Sequence, residues 1–337
     1  MPIVVAPERQ CRDEEGENDE VERPAHAAAF QNKPAILDLE RPPIPMRYGF
    51  PALPLVAALL TPSAGLQSKP VSLYVSVVDS NQDPVTGLAT SDFHVREDGV
   101  DREVLSAEPA SDPLTVALLV DDSQTATPAI QMIREAAENF VTTLAGKAEI
   151  SLMTFGDRPT IAVDYTTDQK KLLDGVHRLF ARPGSGAYLM EAIVDASRGL
   201  QKREPKRPVI VVLMIDRDVE FSNLYYQSVL DAIDKARATL HVISVGPAHS
   251  TMGDEIRNRD QVVAIGTERT GGRRNNFPAF TAAGPRMKQL AAELLDQYLV
   301  TYARPEQLIP PEKIEVTVGK PGLTVRARTR TGEKGAR

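Results

Sequence analysis

Two stretches of the chain place oxygen-bearing side chains at the ends of apolar runs. Leu114-Thr-Val-Ala-Leu-Leu-Val leads straight into Asp121, Asp122, Ser123, Gln124 and Thr125, so two carboxylates and two hydroxyls fall close together. Pro208-Val-Ile-Val-Val-Leu-Met-Ile leads in the same way into Asp216. Nearly continuous Val, Leu and Ile of this length is the pattern of a parallel strand buried on both faces, and open α/β sheets build their sites at the carboxyl ends of such strands. These groups offer acceptors and hydroxyls suited to binding, and no base paired with a nucleophile accompanies them. Recognition without turnover is therefore expected, and not an enzyme.

Composition narrows the chemistry further. One cysteine, Cys11, leaves no intrachain disulfide and no Cys-ligated zinc centre, and removes thiol catalysis from consideration. The histidines His26, His94, His177, His241 and His249 lack the paired spacing of a zinc helix and read as surface or packed imidazoles. Charged residues make up 25% of 337 residues with a net charge of -7 and no basic stripe, so nucleic acid is not an expected partner. Gly184-Ser-Gly186 and Gly271-Gly272 do not directly follow a first strand, so they read as turn glycines rather than a dinucleotide loop. A Gly-x-Ser-x-Gly hydrolase signature is also missing.

The elements that must position these residues follow from periodicity. Thr127-Pro128 opens a helix whose apolar face is Ile130, Ile133, Ala137, Phe140, Val141 and Leu144, and Gly146 ends it. A strand over Ala148–Phe155, a short edge strand over Thr160–Val163 and a helix from Asp168 come next. A helix through Leu189 and Leu200 precedes the second buried strand. Ser222 is expected to cap a helix, Leu240–Val245 to form a strand, and Pro247–Arg259 to be an exposed loop. Gln261–Thr270 reads as a short helix, Pro285–Leu295 as an amphipathic one, and Tyr298–Tyr302 as the last strand. Strand and helix in alternation predict an α/β fold, a doubly wound, mostly parallel sheet flanked by helices over 112–303. Alternating residues at 70–110 and 306–330 add small β segments at both ends, the latter as a hairpin of Lys313–Val318 with Leu323–Arg328. Either the two end segments pair with each other around the α/β unit, or they flank it independently.

Residues 121 to 125 resemble the Asp-x-Ser-x-Ser/Thr loop of the von Willebrand factor A domain family, whose metal-ion-dependent adhesion site binds Mg²⁺. Asp216 matches the family's later Asp, here followed by Arg217 where Gly is usual, and Gly184-Ser-Gly-Ala-Tyr-Leu-Met-Glu-Ala-Ile193 lines up with its Gly-Thr-x-Leu-x-Asp-Ala loop. In that register Ala187 replaces the metal-binding Thr. Asp92-Phe-His-Val-Arg-Glu-Asp-Gly99, Thr270-Gly-Gly272 and Gln297-Tyr-Leu-Val-Thr-Tyr302 are similar to the bacterial exported "VWFA-related" group. The resemblance implies a Rossmann-like fold and a Mg²⁺ or Mn²⁺ site formed by Asp121, Ser123, Thr125 and Asp216, with Ser185 or water in place of the missing hydroxyl. It implies a protein or cell-surface ligand that offers a carboxylate. The alternative is a vestigial, metal-free scaffold in which Asp121 and Ser123 satisfy loop amides.

The amino-terminal region carries a further expectation. Residues 1–45 contain the acidic run Asp13–Arg23 and read as disordered, upstream of a true start at Met46. Residues 46–67 have the layout of a signal peptide, a short positive region at Met46-Arg47, an apolar stretch from Phe50 to Leu60 and small residues at 63–65. An exported chain, periplasmic or secreted, with no membrane span once processed, is implied. Leu118–Thr125 also resembles the opening of a response-regulator receiver, with Asp164 or Asp121 as phosphoacceptor. Tyr225-Tyr226 is a candidate for the rim of the site, and Arg273-Arg274 with Arg326, Arg328 and Arg330 reads as a solvated basic face.

Overall fold

The computed structural model describes residues 68–216, 219–247, 253–306 and 310–330. The acidic run, the expected signal peptide, Arg217 and His249 lie outside these residues. In chain order the elements are strands β1 (Ser68–Val78), β2 (Phe93–Glu97), β3 (Val100–Arg102), β4 (Val104–Pro109) and β5 (Leu114–Val120), then helix α1 (Ile130–Leu144). β6 (Ala148–Thr154), β7 (Thr160–Thr166), α2 (Gln169–His177), α3 (Leu189–Arg203) and β8 (Arg207–Ile215) follow. α4 (Tyr226–Lys235), β9 (Thr239–Val245), α5 (Asp254–Thr270), β10 (Arg274–Phe277) and α6 (Ala283–Leu295) complete the helical part, and β11 (Tyr298–Pro305), β12 (Ile314–Val318) and β13 (Thr324–Ala327) end the chain.

The fold is α/β, with a six-stranded sheet in the order β10-β9-β8-β5-β6-β7. All of its pairings are parallel except β6 with β7. Every residue of β5 and β8 is buried, because helices cover both faces of the sheet. Val116, Leu118 and Val120 point into one core with α1 and α6. Ala117 and Leu119 point into the other, with α3, α4 and α5. Each fully buried Val or Leu contributes roughly 1.5–3 kcal/mol by leaving water, which makes these central strands the most firmly held part of the sheet.

The remaining strands form two small antiparallel sheets, β13-β1-β11-β4 and β12-β2-β3, packed over a separate core that includes Val75, Phe93, Tyr298 and Tyr302. The α/β unit is thus inserted between β4 and β11. Four expectations are corrected here. Tyr298–Tyr302 is not the last strand of the parallel sheet but pairs antiparallel with β1 and β4. The two carboxyl-terminal strands do not form a hairpin, since β12 pairs with β2 and β13 with β1, in different sheets. Pro247–Arg259 is not all exposed loop, since α5 begins at Asp254 and Arg259 is buried. Likewise α4 begins at Tyr226, and Ser222 instead accepts a hydrogen bond from the Glu191 amide. No helix among the described residues is long and apolar enough to cross a membrane.

The two parts are joined by buried charge. Of the basic residues expected on a solvated face, Arg274 and Arg330 are exposed, whereas Arg273, Arg326 and Arg328 meet acids instead. Arg273 and Arg326 both bond the enclosed Glu293 of α6, and Arg328 bonds the Ala238 carbonyl at 2.8 Å and lies 3.5 Å from Asp234. Burial alone would raise the Glu293 pKa, but the hydrogen bonds and charge of Arg326 and the charge of Arg273 bring it down to about 2. His241 accepts from the Arg273 amide at 3.0 Å in the same cluster. Burial pushes its pKa from 6.5 to about 4, with Glu293 opposing the shift and Arg326 and Arg273 adding to it. An imidazole whose folded pKa is depressed binds its proton more readily in the unfolded chain, so stability falls as pH drops from about 6.5 through about 4. Urea melts across that interval should show a loss on the order of 3 kcal/mol assignable to this residue, and the loss should be largely absent in His241→Gln.

Candidate functional site

The chain leaves β5 toward β6 on one side and later returns to β8 on the other, so the carboxyl ends of β5 and β8 flank a topological switch point. Asp121, the first residue past β5, is fully buried there. Its Oδ1 accepts from the Ser123 amide at 2.9 Å and its Oδ2 from the Ile215 amide at 3.0 Å, while its own amide donates to the Leu213 carbonyl at 3.0 Å. One carboxylate therefore fixes its own loop and the residue immediately before Asp216. Asp216 accepts from the Ser244 hydroxyl at 3.0 Å and donates its amide to Val245 at 3.0 Å, which ties it to β9. Ser123, also fully buried, directs its Oγ to Thr125 Oγ1, 2.9 Å away.

Asp122 turns the opposite way. Its Oδ1 accepts from the Gly156 amide at 2.7 Å and its Oδ2 from Arg182 Nε at 2.7 Å. Position 156 has to be glycine, because a Cβ there would lie 2.7 Å from both Asp122 Oδ1 and the Ser123 nitrogen. The loop before α3 is held on several sides. Gln124 Oε1 accepts from the Gly184 amide at 2.7 Å, and the Ala187 amide donates to Val219 at 3.0 Å. The Ala187 carbonyl accepts from Phe221 at 2.8 Å, and Ala187 itself is buried. Beside it Glu220 accepts from the Ser222 amide at 3.1 Å, and burial pushes its carboxyl above the usual range.

A divalent cation can be tested against this donor set. Mg²⁺ takes six oxygens at about 2.1 Å, which puts neighbouring ligand oxygens about 3.0 Å apart. The Ser123 to Thr125 spacing of 2.9 Å matches such an edge, and Asp121 and Asp216 bring two carboxylates to the same rim. Ala187 offers no side-chain oxygen, and the Ser185 hydroxyl donates to the Arg182 carbonyl at 2.9 Å, closing its own turn. Among the described residues no group of three or more His, Cys, Asp or Glu is placed to hold a metal ion, so an ion here would rest on hydroxyls, two acids and retained water. The residues fit a reduced shell.

Of the other candidates, Asp164 lies on the outer strand β7, exposed and 3.6 Å from Arg203, away from the rim that a receiver phosphoacceptor needs. Tyr225 is exposed just before α4, in contact with Tyr226 at 4.7 Å between ring centroids. Sequence reading missed the Asp122–Arg182 pair, Gly156 and Glu220. The first is 60 residues apart and carries no local signal, although Gly156 directly after an apolar strand is a turn cue that was available. Because Asp121 satisfies two buried amides, Asp121→Ala should cost about 1–3 kcal/mol for each one orphaned, and Asp121→Asn less. Comparing urea midpoints of the two variants with the parent measures this.

A sequence profile for the von Willebrand factor type A domain matches residues 116–218. No curated protein matches the chain significantly. Among solved structures, a von Willebrand factor type A protein from Catenulispora acidiphila is 11% identical, with 77% of this chain and 72% of that one covered and a TM-score of 0.47. BatB of Bacteroides thetaiotaomicron, a conserved hypothetical protein, is 15% identical over 54% of this chain and 98% of its own, with a TM-score of 0.43. Proximal thread matrix protein 1 from the mussel byssus, solved with a zinc-occupied metal-ion-dependent adhesion site, is 13% identical over 59% of this chain, with a TM-score of 0.44. The match spans 49% of the mussel protein, about half its length. The profile falls on the strands and loops just described, so it is residues 116–218 of the chain that match the von Willebrand factor type A domain family.

Proposed function

We propose that the chain is an exported binding protein, without catalytic turnover, whose rim at the ends of β5 and β8 takes up a carboxylate of a protein or cell-surface ligand. Asp121, Ser123, Thr125 and Asp216 would hold Mg²⁺ or Mn²⁺, with water completing the shell. The ion supplies positive charge at the rim for an incoming carboxylate oxygen. The observation that carries this reading is the double use of Asp121, whose carboxylate links the hydroxyl loop to the backbone beside Asp216.

The surroundings suit a macromolecular partner. Phe180, Val219, Phe221 and Tyr225 are large apolar side chains left exposed on the loops around the polar centre. Phe221 stacks on Tyr188 with ring centroids 6.0 Å apart. Exposed aromatics clustered at a rim favour contact with another protein. Export rests on the 46–67 layout of the sequence, and a mature amino terminus near Ala64–Lys69 is the result it requires.

A metal-free scaffold is the second reading, favoured by Ala187 and by the inward hydrogen bond of Ser185. Thermal unfolding separates the two. A ligand of the native state at 100 times its Kd adds about 2.7 kcal/mol. Mg²⁺ or Mn²⁺ at millimolar concentration should raise the melting temperature of the parent by several degrees and leave Thr125→Val unmoved. Identical melts with ion and with chelator would establish the scaffold instead.

A further inference from the structure

Next to the rim, on the β6–β7 side, lies a cavity of about 220 Å³. Its wall includes Thr154, Thr160, Arg178, Phe180 and Arg182, with Asp122 at its inner end. Building on the binding role above, we propose that this cavity is an anchoring subsite for a single carboxylate of the partner, separate from any ion at Asp121 and Ser123.

Charge points to an anion. Arg182 gives its Nε to Asp122 at 2.7 Å, so those two charges offset each other. Arg178 makes no ion pair among the described residues; the nearby Asp174, which feels its charge, is bridged by Lys170 at 2.9 Å, so Arg178 leaves the cavity lining with one net positive charge. Hydroxyls supply directed donors. Thr154 is buried, and its Oγ1 lies 3.5 Å from Arg182 Nη2, an arrangement in which Thr154 keeps its own proton to give. Thr160 adds a second hydroxyl at the start of the edge strand. A guanidinium with flanking hydroxyls is a recurrent carboxylate and phosphate cradle.

Size and balance choose between those two. The volume is below the roughly 300–1,000 Å³ of drug-sized ligand sites and fits one side chain or a chain terminus. A dianion would face the Asp122 carboxylate with only one uncompensated cation, whereas a monoanion is matched by it. Phe180, 65% exposed at the mouth, offers an aromatic face to the apolar stem that carries the carboxylate. Other residues expected to reach the family site do not line this cavity, which is why it escaped a reading based on the metal loop.

The test is an NMR titration of ¹⁵N-labelled protein in buffer stripped of divalent ions, following the amides of Thr154, Gly156, Arg178 and Arg182. Acetyl-Glu-N-methylamide presents a side-chain carboxylate and acetyl-Ala-Ala a terminal one; acetyl-Gln-N-methylamide and acetyl-Ala-Ala-amide are the uncharged counterparts, and inorganic phosphate is the competitor. At least one carboxylate probe should shift these amides saturably, its uncharged counterpart should not, and the probe that saturates first names the source. Arg178→Gln, an exposed position whose spectrum will report retention of the fold, should weaken binding roughly tenfold, the loss of one charge-assisted contact. Thr160→Val should weaken it less. Equal response to the uncharged probes, insensitivity to Arg178→Gln, or tighter binding of phosphate would each overturn the assignment. Because divalent ions are absent, failure of the metal reading leaves this titration unchanged, and repeating it in Asp216→Ala separates the two.

Discussion

A charged carboxylate enclosed in protein is tolerable only where donors meet both of its oxygens, and Asp121 meets that condition with backbone amides from two distant segments. Its burial makes the ends of β5 and β8 a unit, because separating them would strand a charge and two amides together. Asp122, the next residue in extended chain, necessarily points the other way and takes the Gly156 amide and Arg182. Two adjacent acids thereby fix the loops after β5, β6 and β8 and the loop before α3. The switch point supplies the crevice, and the acids supply its rigidity.

The same rule organises the opposite part of the chain. Glu293 between Arg273 and Arg326, and Glu97 between Arg102 at 3.0 Å and the Tyr302 hydroxyl at 2.7 Å, are buried acids whose donors come from other elements. Burial and the Glu97 hydrogen bond raise the Tyr302 pKa, which keeps its proton in place as the donor. These contacts pin β11 against β2 and β3, and β13 against α6 of the inserted α/β unit. Gly271 closes the seam, since a Cβ there would stand 2.2 Å from the Ala327 carbonyl carbon. An insertion held at both of its ends in this way presents its far rim in a defined orientation to the outside.

How much of this could be read from the residues follows from the range of each signal. β5 and β8 were legible because burial on both faces removes alternation and leaves an uninterrupted apolar run. Asp121 and Asp216 were legible as the first polar residues after those runs. Alternation identified Ile314–Val318 and Thr324–Ala327 as strands but carries no information on partners, and the short Gly-Lys-Pro-Gly turn suggested a hairpin that the sandwich core overrides. The first turns of α5 are polar and charged, so a helix there showed no apolar face, and its Arg259 is buried by tertiary packing alone. Arg273, Arg326 and Arg328 looked like a solvated face for the same reason: their acids lie on α6 and α4, remote in sequence. Pairs that depend on topology become visible only once the topology is known.

Ala187, at the position where the family resemblance expects a hydroxyl, bears on dynamics more than on composition. Its loop is stitched by backbone hydrogen bonds to both neighbours, Tyr188 to Phe155 at 2.8 Å and Asp157 to Gly186 at 2.9 Å on one side, Ala187 to Val219 at 3.0 Å and Phe221 to Ala187 at 2.8 Å on the other. A ligand moves a two-state element only to the extent that it binds the two states differently. Position 187 has no side-chain oxygen to engage an ion in one state and release it in another, and the Phe221 ring fills the space beside Gly186 where the loop would have to shift. Under the proposed binding role, such a site would be arranged before its ligand arrives: ordering costs on binding would be small, and affinity would be set by the groups already at the rim rather than by closure.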